Sequence, residues 1–112
     1  MAITYAWEIV SLETKDETNL NGDVLQNSVV RVTWKRNGTD TDGVSHSFLG
    51  NSWFTSENTS VGDFVNYFDL TEDSVISWLT NKIGSHEVKK IDDIIARRID
   101  KKNSIVRTPP WS

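Results

Sequence analysis

Residues Ser28 to Arg36 read SVVRVTWKR, and the fold follows from that stretch. Val30, Val32 and Trp34 fall on one side of an extended chain, and Arg31, Thr33 and Lys35 on the other. Period-two alternation in β-branched and aromatic residues is the pattern of a strand with one wet face. Upstream, Ile3 to Leu12 (ITYAWEIVSL) repeats the pattern and sets Ile3, Tyr5, Trp7 and Ile9 on a common side. Between them lies ETKDETNLNGDVLQN, residues 13–27, where Asn21-Gly22 signals a hairpin because both residues tolerate positive φ. An antiparallel pair with one apolar face is expected, and the rest of the chain must cover that face.

Downstream of the pair, Arg36 to Gly43 (RNGTDTDG) reads as a turn-rich linker into a third strand at Val44 to Leu49 (VSHSFL), placed at the sheet edge. Residues 1–54 therefore form a β-meander. Residues 55–68 show no clear period, although Gly50 to Asp69 as a whole crowds together Trp53, Phe54, Phe64, Tyr67 and Phe68. Large aromatics dominate burial energetics, so these rings are expected to dock on the sheet. Irregular segments of this length are uncommon unless functional, which makes the same five residues candidates for contact with a partner.

Residues 69–102 read as a helical hairpin. Asp69 or Thr71 can cap the first helix, acids follow in its first turn, and Val75, Ile76, Trp78, Leu79 and Ile83 recur at helical spacing up to Gly84. Ser85 can cap a second helix whose stripe is Val88, Ile91, Ile94, Ile95 and Ile99. Both stripes need a sheet to cover, which gives an α+β class: a three-stranded antiparallel meander followed by two amphipathic helices packed on one face. Trp7, Trp34 and Trp78 are expected to be buried together at that junction. The tail, residues 103–112, ends Thr108-Pro109-Pro110-Trp111-Ser112. Its prolines hold an extended backbone, so Pro109, Pro110 and Trp111 complete the set of candidate contact residues. Trp111 is expected to dock either on its own domain or on a neighbouring subunit, the first being favoured because an exposed indole invites nonspecific association.

The chain has 112 residues, which suits one domain able to bury a core without staples. Its 37% hydrophobic and 10% aromatic content argues against disorder. Sixteen acids against twelve bases leave a formal charge of -4, the opposite of the balance that phosphate neutralisation requires, so nucleic acid is not expected as a partner. With no cysteine, disulfides, thiolate metal sites and Cys nucleophiles are excluded. Neither a leader-like start nor an apolar run long enough for a membrane span is present, and a soluble protein is expected.

No pattern marks chemistry. His46 sits on the weak strand and His86 in a helical first turn, and no hydroxyl or acid stands at a spacing that suggests a triad. Asp63, Asp69, Glu72, Asp73 and the pair Asp92-Asp93 occupy caps or a helix's polar side, where solvated carboxylates are ordinary. Glu17, Asn19, Asn21, Gly22 and Asp23 echo a calcium loop but Ser28 stands where the bidentate Glu belongs, which leaves a plain hairpin. Lys89-Lys90, Arg97-Arg98 and Lys101-Lys102 alternate with acids as a mixed outer face. The expectation is a protein without catalytic, metal or cofactor-binding residues.

Four pieces, AITYAWEIVSLETKD (Ala2–Asp16), VVRVTWKRNGTDTDG (Val29–Gly43), DLTEDSVISWL (Asp69–Leu79) and the terminal PPWS, span most of the chain in order. As a set they resemble a family of small uncharacterised proteins of tailed phages, especially phages of marine cyanobacteria. The resemblance transfers no catalytic residue. It implies a phage product made in a bacterial cytoplasm, found there or in the virion, acting through protein–protein contacts as a structural or assembly component. The alternative is an acidic factor that binds and modulates a host protein. In either case the partner is a phage or host protein, or a second copy of the chain.

Overall fold

The computed structural model describes residues 2–104 and 107–111. Strands β1 (Ile3–Thr18), β2 (Val24–Asp40) and β3 (Ser45–Trp53) form one antiparallel sheet in the order β1-β2-β3. A single 3-10 turn (Tyr67–Asp69) precedes helices α1 (Glu72–Ile83) and α2 (Ser85–Asn103). The expected α+β meander with a helical hairpin on one face is the fold.

The strands are much longer than the apolar pattern indicates, because the polar linkers are strand rather than loop. Only residues 19–23 and 41–44 remain as turns. One side-chain device closes both. The Asn19 carboxamide oxygen accepts from the N–H groups of Asn21 and Asp23 at 3.0 and 2.9 Å. Asp40 does the same for Asp42 and Val44, both at 2.9 Å. Such Asx turns, with Gly22 and Gly43 at positive φ, let a few residues reverse the chain.

Register shifts explain how a sixteen-residue strand keeps one face inward. Pairing slips between Ile9 and Ser11, between Glu13 and Thr14, and between Lys15 and Glu17. The first slip leaves Val10 as an extra residue, so that Ile9 and Leu12 both face the helices. The second makes Val30 extra, and Val29 takes the buried place expected for Val30. The third falls at Asn27, whose φ of 53° marks a left-handed bulge residue held by an Asp16 carboxylate at 3.0 Å. Each bulge restores the period-two alternation that a long twisted strand would otherwise carry off the core.

The core is one layer deep: Val29, Val32 and Trp34 of β2 meet Val75 and Leu79 of α1 and Ile91, Ile95 and Ile99 of α2. Trp34 is the centre. Its indole stands edge-on to Trp7 at 5.3 Å, stacks beside Phe48 at 6.0 Å and donates from Nε1 to the Ser52 hydroxyl at 3.1 Å. Trp78 does not join them; it is half-buried and faces Phe54 at 6.1 Å. The reason is position, since α1 lies over the far half of the sheet while α2 covers the Trp7–Trp34 region. There Asp92, expected to be solvated, is half-buried and forms a two-pronged pair with Arg36 at 2.9 and 3.2 Å. The same guanidinium lies 4.7 Å from the Trp7 ring centre.

Thr71 caps α1 by accepting from Ser74 N–H at 3.2 Å, whereas Asp69 belongs to the preceding turn. Gly84, φ 82°, joins the helices and itself precedes the first turn of α2, where Ser85 is already helical. Among the described residues, no helix or strand covers the opposite face of the sheet. The molecule is a rod, 75 by 22 by 22 Å, with a radius of gyration of 19.5 Å against about 13 Å for a compact chain of this length.

Candidate partner-binding site

The segment after β3 is fixed by side chains rather than by a ladder. Phe54 N–H still donates to the Val30 carbonyl at 2.9 Å. Beyond it, one Glu17 carboxylate oxygen accepts from Ser56 N–H, the Ser56 hydroxyl and the Ser28 hydroxyl, each at 2.9 Å. Burial raises the Glu17 carboxyl's pKa, but the hydrogen bonds from Ser56 and Ser28 outweigh it and hold the group below its usual value. Asn19 reaches the Thr59 carbonyl at 2.9 Å, Ser60 donates to Asp63 at 2.9 Å, and Asn66 accepts from Phe68 N–H at 3.1 Å.

Pinned in this way, the segment and α1 enclose a cavity of about 270 Å³. Phe54, Phe64, Leu70 and Trp78 supply its apolar walls, the buried Ser28 and Ser56 line it as well, and the exposed Asp63 belongs to its lining. That volume lies just below the range of about 300–1,000 Å³ usual for small-molecule sites. It is large enough for one large side chain.

The candidate residues part company here. Phe54 and Phe64 meet in the cavity. Tyr67 is half-buried in an adjoining hollow with Ile9, Leu12, Leu70 and Val75, and Phe68 stands edge-on to it at 5.3 Å. Phe68 is 83% exposed, so it does not dock on the sheet. Trp53 is 60% exposed on the uncovered sheet face, because strand alternation turns it away from its neighbour Ser52. Pro109, Pro110 and Trp111 are all exposed, Trp111 at 86%, which overturns the expectation that the indole packs on its own domain. No motif announces the roles of Trp78, Leu70, Ser28, Ser56 and Glu17 in building the site. Trp78 and Leu70 read as helix stripe and cap region, and the two serines and the glutamate come from three distant stretches.

Among the described residues, no group of three or more His, Asp or Glu could hold a metal ion. The Glu17–Ser28–Ser56 cluster has the residue types of an activated hydroxyl but the wrong electrostatics. A carboxylate whose proton affinity is lowered is a weak base, and the described histidines lie elsewhere: His46 beside Arg98 at 3.1 Å, His86 exposed on α2. The cluster is a latch for the cavity wall.

A family model described as a domain of unknown function, DUF7936, matches residues 2–111. The chain belongs to this family. Comparison with curated proteins found no match, and comparison with solved structures found none either. The DUF7936 chain presents an aromatic cavity, an exposed Trp53 on the sheet, an exposed Phe68 in the turn before α1, and an exposed Pro-Pro-Trp tail. No helix among its described residues is long and apolar enough to cross a membrane.

Proposed function

We propose that this is a non-enzymatic contact protein that works by binding other proteins, as a structural or assembly component of a tailed-phage particle. The observation that carries the contact role is the pairing of a preformed aromatic cavity with large apolar side chains left in solvent, Phe68 at 83% and Trp111 at 86% exposure. Trp is among the residues most enriched where interfaces concentrate their binding energy. Support for the phage setting comes from the sequence resemblance alone.

Mass spectrometry of purified particles tests the proposal. A stoichiometric signal in the virion is the expected result. Abundance in infected cells together with absence from particles and from assembly intermediates would overturn the particle role. A host enzyme recovered in equal amount with the chain would establish the modulator alternative in its place.

A further inference from the structure

The rod is charged unevenly along its length. Residues 55–73, which wrap the cavity, hold five acids (Glu57, Asp63, Asp69, Glu72 and Asp73) and no Lys or Arg. From Arg97 to Trp111 the balance reverses, with Arg97, Arg98, Lys101, Lys102 and Arg107 against Asp100. The basic group lies at the other end of the rod, where the Asn103 carboxamide donates to Asp40 at 3.1 Å and Arg98 reaches His46. The Pro-Pro-Trp tail leaves from that basic end.

The tail does not fill its own cavity, since Trp111 is 86% exposed. Ser28, in the cavity lining, stands twelve positions along β2 from Asp40, roughly 40 Å at about 3.3 Å per residue. From Asn103 to Trp111 there are eight residues, and fully extended they span at most about 29 Å. Other lining residues stand nearer, Phe54 beside Val30, but only an almost fully extended tail would reach them, and Trp111 instead stands 86% exposed. The cavity is left open to a side chain from another molecule.

We infer that the tail of one copy seats Trp111 in the Phe54–Phe64–Trp78 cavity of a second copy, with Arg107 against the acidic rim at Asp63, joining the protein head to tail. Charge complementarity, the exposure of Trp111 on its own chain and the size of the cavity favour this occupant. Two prolines before the indole favour it further, since extended proline segments dock on aromatic-lined grooves with little loss of freedom. A head-to-tail contact is heterologous: each joined pair keeps one free tail and one free cavity between its two copies, so the product is a ring or an open filament. The inference rests on the contact role proposed above and names its partner as a second copy.

Sedimentation of the full chain over a concentration series tests it. The wild type should associate at concentrations below about 1 mM, more weakly in high salt. Trp111→Ala should weaken association about thirtyfold, as for an interface anchor. Asp63→Lys and Arg107→Glu should each weaken it, and the chain carrying both changes should recover. Val65→Trp places an indole at an exposed lining position and should block the cavity. Neither Val65→Trp nor Trp111→Ala should assemble alone, while a mixture of the two should stop at heterodimers. A wild type that stays monomeric, or a Trp111→Ala chain that associates normally, overturns the inference. Either result would leave the contact role standing if particles still contain the protein, and their joint failure would remove both.

Discussion

Replacing Trp34 with Ala is the sharpest test of how the sheet is held in register. The indole is 4% exposed and joins Trp7 of β1, Phe48 and Ser52 of β3, and the helices above them. A Trp side chain buries about 200 Å², which at about 25 cal/mol/Å² sets an upper bound near 5 kcal/mol. Loss of the Trp7 edge contact and of the Ser52 partner adds to this, while collapse of neighbours into the space subtracts. A net loss of about 3–5 kcal/mol is expected, in line with other large aromatic truncations. Urea unfolding followed by far-UV circular dichroism should measure it, because four remaining tryptophans confuse fluorescence. Trp34→Phe should keep the stack on Phe48 and lose mainly the hydrogen bond, for about 1–2 kcal/mol. An Ala variant that loses less than about 1 kcal/mol would refute the placement of this indole at the centre of the core.

Gly50→Ala should destabilise by about 1–3 kcal/mol, since the Trp34 ring lies directly over Gly50 and a methyl group there would overlap it; thermal melting checks this. For the Arg36–Asp92 pair, with side chains only 13% and 19% exposed, a double-mutant cycle to Ala should return a coupling of about 1–3 kcal/mol, and a value near zero would reduce it to an ordinary surface contact. Acid should act through Glu17 and His46 among other groups. Glu17 titrates below its usual value in the fold, so the stability it adds is complete above about pH 4.3 and is lost as pH falls through the lowered pKa; Glu17→Gln should flatten that part of the stability curve. His46 is also held below its usual value, by burial and then by Lys102 and Arg98, so its neutral form favours the fold and stability declines as pH falls below about 6.5. His46→Gln should remove that decline, and an unchanged pH profile would place the ring outside the cation cluster.

Alternation in Ser28–Arg36 and Ile3–Leu12 made the strands legible, and the 3.6-residue stripes together with Gly84 made the helical hairpin legible. Strand length was not, because Lys15, Asp16, Asn37 and Thr39 carry no apolar signal, although backbone pairing needs none. Val29 and Val30 show the limit well. They are adjacent and chemically identical, and only the register slip opposite Glu13–Thr14 decides which one is buried. In the candidate site Phe54 and Phe64 could be named from composition, but the latch that positions them joins Glu17, Ser28 and Ser56 across the sheet, and no spacing encodes it. The exposure of Trp111 could not be read from the sequence either. Hydrophobicity states that an indole wants cover; only the fold shows that its own domain does not supply it.

The distance between the end of α2 and the cavity follows from the unusual length of β1 and β2. Had the polar stretches 13–27 and 36–43 been loops, the sheet would be short, the chain compact, and the tail within reach of its own cavity. A short tail folding back on its own domain is favoured by effective concentration over any neighbour. The bulges at Val10, Val30 and Asn27 keep β1 and β2 paired and inward-facing along their full length, and so set the separation between tail and cavity. The arrangement predicts a dependence on length. Inserting eight Gly/Ser residues after Ser104 would let the tail span about 58 Å when extended, enough to cover the roughly 40 Å to the cavity in the same chain. Such a chain should become monomeric and melt at a higher temperature than the Trp111→Ala variant of the same insertion. If it instead associates as the wild type does, sheet length is not what directs the tail outward.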